Sequence, residues 1–207
     1  MFTNEDNSGS GKFANFKDGK IVTKIDGQKK EFTTMTGHIV DMDISDEEYQ
    51  GRKYRKVTLF ISDKGTVCQL GFDLGSGYGW GFFQLCGNID VKKPVSISGG
   101  TKEIPNSNGK SYGSMFIKQD GKYLQHLMKN GTDAAKKIPA VDLVKIGKQD
   151  VKDYSKRHEY MEKVLAAFFK KVQKQFPGGA GAEERAKAKS KEANAETMTE
   201  PIGDLPF

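Results

Sequence analysis

Between positions 52 and 56 the chain carries Arg52, Lys53, Tyr54, Arg55 and Lys56, and Phe60 follows on the same strand face as Tyr54. Tyr112, Phe116 and Lys118 repeat this mixture on a later strand, and Lys122 and Tyr123 extend it. A flat ring stacks on an unpaired base while ammonium and guanidinium groups neutralise phosphate. Rings interleaved with cations along a groove therefore suit a sequence-tolerant site for single strands. Trp80 lies off the apolar stripe of its helix and is read as exposed, which adds it to this set. Any one of these rings also has a plainer use as a barrel core residue; Phe72, Tyr78 and Phe82 are assigned to that use.

Other chemistries fit less well. Gly75, Gly77, Gly79 and Gly81 alternate, but Trp80 and Phe82 stand where a dinucleotide loop needs its third glycine. Gly9-Ser10-Gly11-Lys12 lacks the full phosphate-loop spacing. Asp41, Asp43, Asp46, Glu47 and Glu48 form an acidic run, yet a calcium loop starting at Asp41 would want glycine at position 46 and glutamate at 52, which are Asp46 and Arg52. A solvated acidic loop is one reading of that run and a Mg-dependent nuclease site is the alternative. Cys68 and Cys86, with His38, His126 and His158, match no metal-finger or disulfide spacing, so both thiols are read as reduced and packed. Asn130-Gly131-Thr132 is a glycosylation triplet, of little meaning without a secretory signal. No cofactor or metal is called for.

The elements that must position these residues are mostly strands. Ile21–Ile25 and Glu31–Met35 flank Asp26-Gly27, a tight-turn dipeptide, and predict a hairpin. Gly37–Ile44 is a strand in which Gly37 marks a bulge or sharp bend. After a polar turn over Asp46–Gly51, Val57, Leu59 and Ile61 alternate with Tyr54, Lys56, Thr58 and Phe60, and the first set should face the core. A turn at Asp63–Gly65 leads into Thr66–Phe72. Tyr78, Phe82, Leu85 and Ile89 then take helical spacing, and Pro94–Ser98 and Ser111–Gln119 are further strands. This order predicts a mainly β fold: a five-stranded OB-type Greek-key barrel with an N-terminal hairpin extension and a short helix between strands 3 and 4. Val151, Tyr154, His158, Met161, Leu165, Phe168 and Val172 advance by threes and fours, predicting a C-terminal helix that Pro177 stops. Its seam either packs on the barrel or joins two copies, so a homo-oligomer stays open. The expected divisions are a flexible start over 1–19, the barrel with its extensions over 20–149, the helix over 150–176, and a disordered linker and tip over 177–207.

At 207 residues and 36% hydrophobic content the chain can build a packed core. No apolar run reaches the ~18 residues that crossing a bilayer takes. Met1–Gly11 is polar and acidic rather than basic and then apolar, so no secretory signal is read and a cytoplasmic protein is expected. Residues 1–176 hold 29 bases against 21 acids, a net of +8, whereas 177–207 hold four bases and six acids. A basic body suits a polyanionic partner. The chain closes on Asp204, Leu205, Pro206 and Phe207, an acidic tip ending in an apolar residue that carries the α-carboxylate. Such a tip can place its last ring in a partner's apolar pocket while bases hold the carboxylates; a solvated terminus is the plainer reading.

The OB-like strand order, the Gly/Ala-rich linker and the terminal Asp204-Leu205-Pro206-Phe207 resemble the single-stranded DNA-binding proteins of bacteria and their phages. Gly77–Phe83 followed by Asn88-Ile89-Asp90 looks more like the phage-type members. The tail likeness covers about eight residues, and the barrel likeness spans roughly Lys20 to Tyr123 as pattern rather than identity. The resemblance implies a non-enzymatic protein that coats and protects single-stranded DNA in DNA replication, recombination and repair. It also implies a tip that recruits other replication proteins, and a host cytoplasm if the chain is phage-encoded. Fewer consecutive acids at the tip, and a helix after the barrel, depart from the bacterial form and leave its tetramer in doubt. An RNA-binding OB module is a further alternative.

Overall fold

The computed structural model describes residues 1–3, 8–9, 12–103, 111–127, 136–146 and 149–177. The linker and the Asp204–Phe207 tip lie outside the described residues, as do Asn130-Gly131-Thr132 and part of the Gly9–Lys12 run. In chain order the elements are β1 (Phe2–Thr3), β2 (Ser8–Gly9), β3 (Phe13–Lys17), β4 (Lys20–Ile25), β5 (Gln28–Phe32), β6 (Thr34–Tyr49), β7 (Arg52–Asp63) and β8 (Thr66–Asp73). Then come α1 (Gly77–Leu85), a short 3₁₀ turn (Cys86–Asn88), β9 (Val95–Glu103), β10 (Ser111–Gln119) and β11 (Lys122–Tyr123). β12 (Asp142–Ile146), β13 (Gln149–Asp153) and α2 (Ser155–Gln175) follow.

The hairpins are short because their turns are built for it. Asp26 and Gly27 hold φ of 52° and 77°, and Asp18-Gly19, Gln50-Gly51, Lys64-Gly65 and Asp120-Gly121 repeat the pair of positive angles. Two positive angles in succession match the right-handed twist of the flanking strands, and glycine takes the second at no steric cost.

These hairpins join into one curled, mixed sheet whose main path runs β11-β10-β9-β6-β7-β8-β3-β4-β5. Neighbours are antiparallel except β3 beside β8, where Phe13–Asn15 run parallel to Gln69–Gly71. β6 is the pivot: Thr34–Gly37 pair with β9 and His38–Tyr49 with β7. A Cβ at Gly37 would come within 2.6 Å of the Ser62 carbonyl oxygen, so only glycine lets β6 pass there. The register shift itself falls between Ile39 and Asp41, two residues beyond the glycine to which a bend was assigned. The curl brings the β3–β4 turn onto β9, with Gly19 against Gly99 and Gly100. Phe2 stacks on Phe32 at 5.1 Å on the same inner side.

Inside the curl lie Val57, Leu59 and Ile61 of β7, Leu70 and Phe72 of β8, Met115 and Ile117 of β10, and Phe82 and Phe83 of α1. α2 adds Met161, Leu165, Phe168 and Val172, all buried, with Phe168 edge-on to Phe82 at 5.7 Å. These four seam residues are thus taken up by the chain's own core, whereas Val151 and Tyr154, also expected on the seam, are each 41% exposed.

Several expectations are corrected. The hairpin expected as a separate extension is β4–β5, and with β3 it joins the same sheet beyond β8, so the structure shows one curled mixed sheet in a mainly β chain. The opening residues contribute strands, and Phe2 is fully buried, so hydrophobic burial orders part of the segment expected to be flexible. β6 continues through Asp46–Glu48, and the turn shrinks to Gln50-Gly51. β12 and β13 form a separate two-stranded sheet, and the helix begins only at Ser155, so Val151, expected on its stripe, lies on β13 instead.

Two measurements check this core. Phe168→Ala should cost about 3–5 kcal/mol in chemical unfolding, the range for emptying a buried aromatic site. A loss under about 1 kcal/mol would place α2 off the sheet. Burial pushes the Cys86 thiol up to about 12 from its ordinary 9.0. Since the folded chain holds this proton more tightly, the associated stability is present below about pH 9 and is lost as pH rises towards 12. Alkylating reagents at pH 8 should leave Cys86 untouched until the chain is unfolded.

Candidate nucleic-acid interface

Period-two alternation on β10 sends Met115 and Ile117 inward and leaves Tyr112, Ser114, Phe116 and Lys118 outside. Tyr112 is 42% exposed, Phe116 43% and Tyr123 60%, so each offers ring area to solvent. β11 pairs Tyr123 with Lys118, which sets the Lys118 Nζ 4.3 Å from the centre of the Tyr123 ring. Phe116 meets Tyr123 edge-on at 6.2 Å and lies over Gly100 of β9, where a Cβ would stand 2.8 Å from the ring. Lys102, exposed on β9, is opposite Tyr112. One outer face therefore alternates rings with ammonium groups.

This face continues into a groove because α1 lies unusually close to β10. A Cβ on Gly77 would sit 1.9 Å from the Gly113 carbonyl oxygen, and one on Gly81 would sit 3.0 Å from the Met115 nitrogen. One on Gly79 would meet the Leu74 carbonyl oxygen at 2.4 Å. The alternating glycines are thus a helix-packing device. Ser76 caps α1 by accepting a hydrogen bond from the Gly79 amide. Tyr78 points to the inner side, stacks on Phe16 at 4.3 Å, and its hydroxyl accepts a hydrogen bond from the Gly19 amide.

Trp80 faces the other way, half-buried, into a cavity of about 720 Å³ that Tyr112 and Phe116 also line. The start of α2 forms its opposite wall. The Arg157 guanidinium lies 5.4 Å from the centre of the Trp80 ring and 6.0 Å from that of Tyr154. Its Nε and Nη2 donate to the Pro139 carbonyl oxygen at 3.3 Å. Tyr154 in turn stacks with His158. Tyr154, Arg157, His158 and Gln84 belong to this groove and were not singled out from the sequence as site residues. Their signal was faint: an i, i+3, i+4 set at a helix start, of which Tyr154 and His158 also fit the apolar stripe.

The basic start of β7 is placed differently. Cross-strand register sets Asp46 opposite Arg55, Glu47 opposite Tyr54 and Glu48 opposite Lys53. Arg55 donates from Nη1 to Asp46 Oδ1 at 2.9 Å, and from Nε and Nη2 to the two Glu162 oxygens at 3.0 Å each. The hydrogen bond to Asp46, followed by that to Glu162, raises its already high pKa. Lys56 Nζ lies 3.4 Å from Glu47 Oε1. Phe60 is only 2% exposed, so it offers no ring face to a ligand; alternation along a strand sets a side chain's direction but not what covers it. Tyr54 is half-buried, and Arg52 and Lys53 are exposed.

The structure therefore gathers Trp80, Tyr112, Phe116, Lys118 and Tyr123 on one continuous face, with Lys122 exposed on the adjoining strand, and leaves the residues from Arg52 to Phe60 outside it. The acidic run that had suggested a metal site supplies cross-strand partners to β7. Among the described residues, no group of three or more His, Cys, Asp or Glu is placed to hold a metal ion, and no helix is long and apolar enough to cross a membrane.

Gly77→Ala should move α1 off β10, costing about 1–3 kcal/mol or more and changing the emission of Trp80, the chain's single tryptophan. An unchanged spectrum and unfolding midpoint would contradict the packing described. Comparison of the chain with protein-family models, with curated protein sequences and with solved structures finds no match in any of the three.

Proposed function

We propose that this chain binds single-stranded DNA with little sequence preference, as a non-enzymatic protein that coats and protects strands exposed in replication, recombination and repair. The observation that carries this reading is the convergence of the Trp80, Tyr112, Phe116 and Tyr123 rings with Lys102, Lys118 and Arg157 along β10 and its groove. Bases stack on such rings at ~1–3 kcal/mol each, whatever their identity, and the cations answer the phosphates. The net +8 of residues 1–176 favours the same partner.

In this reading β6 to β10 constitute an OB-type barrel. Its support is the spatial order β9-β6-β7-β8, a Greek key in which the fourth strand returns beside the first, with α1 between the third and fourth. β3 to β5 are then the N-terminal hairpin extension. The tip Asp204–Phe207 recruits other replication or recombination proteins, a role supported by its acidic, apolar-ended sequence.

Titration of labelled oligo-dT at two salt concentrations is the test. With about four phosphates engaged, the log–log salt slope should be near −3, from ~0.7 per phosphate. Phe116→Ala and Tyr123→Ala should each weaken binding by ~1–3 kcal/mol with the fold intact. Absent or salt-indifferent binding, or rings that can be removed without loss, would refute the proposal.

A further inference from the structure

From the groove wall α2 runs on for 21 residues, from Ser155 to Gln175. At about 100° per residue, Met161, Leu165, Phe168 and Val172 share its inner side, and each is buried. Lys163, Lys170 and Lys174 fall on the side turned away from them, all exposed, and Lys156 opens the same line nearer the groove. The acids of this helix are Glu159 and Glu162, and Glu162 is held by Arg55. Past Glu162 the helix carries Lys163, Lys170, Lys171 and Lys174 and no acid. An exposed helix face is steadied by acid–base pairs three or four residues apart, whereas Lys170 and Lys174 repel each other at that spacing. The negative pole at the helix C-terminus answers Lys174 in the last turn, but its field fades before Lys163 and Lys170.

We infer that this line of lysines is a second track for the phosphates of the bound strand, on which a strand longer than the β10 face and its groove continues along the outside of α2. The inference rests on the single-strand reading above and extends its site by a segment that holds phosphate without reading bases. Arg157 lines the groove and Lys156 precedes it in sequence, so the line begins where the groove wall ends. Lys156 pairs with Asp142 at 2.9 Å, but the two side chains are 71% and 43% exposed, and so open a pair does little to keep Lys156 from exchanging partners. Between Lys163 and Lys174 the helix rises about 16 Å, so the cations are spread along the helix rather than gathered at one point. The rings of this helix, Tyr160, Phe168 and Phe169, pack into or against the core, so the track works by charge alone. An acidic protein segment would meet the same cations, but continuity with the groove favours the strand already held there.

The test measures log–log salt slopes of the full chain on dT8, sized for the β10 face and groove, and on dT30, with oligomer in excess so that one chain binds each strand. The dT8 slope should stay near −3, from about four phosphates, and the dT30 slope should steepen to about −5 as three more are neutralised at ~0.7 each. Lys163→Ala, Lys170→Ala and Lys174→Ala together should return dT30 to about −3 and leave dT8 unchanged; alanine is the best helix former, so α2 persists. Lys24→Ala, Lys29→Ala and Lys30→Ala, on β4 and β5, remove the same net charge and should leave both slopes as they are. A dT30 slope indifferent to the α2 lysines, or an equal change from the β4–β5 set, overturns the inference. If dT8 binds with its expected slope and dT30 no more steeply, the second track alone is lost; if neither oligomer binds, the single-strand reading falls with it.

Discussion

The distance between α1 and β10 is the constraint on which the rest of the molecule depends. Gly77, Gly81 and Gly113 have no side chains to hold the helix and strand apart, and a methyl group on Gly77 would overlap the backbone opposite. At this separation the two sides of α1 take opposite duties. Phe82 and Phe83 enter the core, and Tyr78 ties the helix to Phe16 and Gly19 of the β3–β4 hairpin. Trp80 and Gln84 line the groove. A helix even one methyl radius further out would widen the groove and lift Tyr78 from its stacking partner.

A second arrangement fixes the groove's far wall. α2 is anchored through Met161, Leu165, Phe168 and Val172, whose burial supplies most of the free energy of docking. The Arg55–Glu162 pair, partly exposed, adds little stability of its own. Its bidentate geometry sets the helix's rotation instead. Arg157 lies on this oriented helix and Tyr154 just ahead of it. The carboxylates of Asp46 and Glu47 pair with Arg55 and Lys56 of β7, whereas on the β10 face the Tyr123 ring and the Lys118 ammonium meet each other directly.

How much of this could be read in advance follows from the range of each interaction. β10 was bounded at Ser111 and Gln119 because Met115 and Ile117 alternate cleanly with polar or aromatic neighbours, and such alternation is local. The α2 stripe was equally plain, and its buried members are those the spacing marks. β12 left no pattern because Leu143 and Val144 are adjacent and both exposed, and Val151 of β13 passes for the start of the α2 stripe because it stands three residues before Tyr154. Of the two partners of Arg55, Glu162 lies 107 residues away, beyond any spacing rule, and Asp46 comes opposite it only because β6 runs on through the stretch expected to be a turn. The glycines of α1 were visible as a run, but the backbone atoms they accommodate belong to β10 and to the loop before the helix, which only the folded chain brings near.

The parallel pairing of β3 with β8 has a consequence for how the chain matures on the ribosome. Phe13 has no ladder partner until Gln69 has been made, and Trp80 has no guanidinium above it until Arg157 has emerged. Long-range pairings of this kind form slowly, since their loop-closure cost precedes the contacts that offset it. A nascent chain halted between β11 and α2 would hold the curled sheet with its inner side uncovered and only one bank of the groove. The groove is therefore completed late in translation, after most of the sheet has already been laid down.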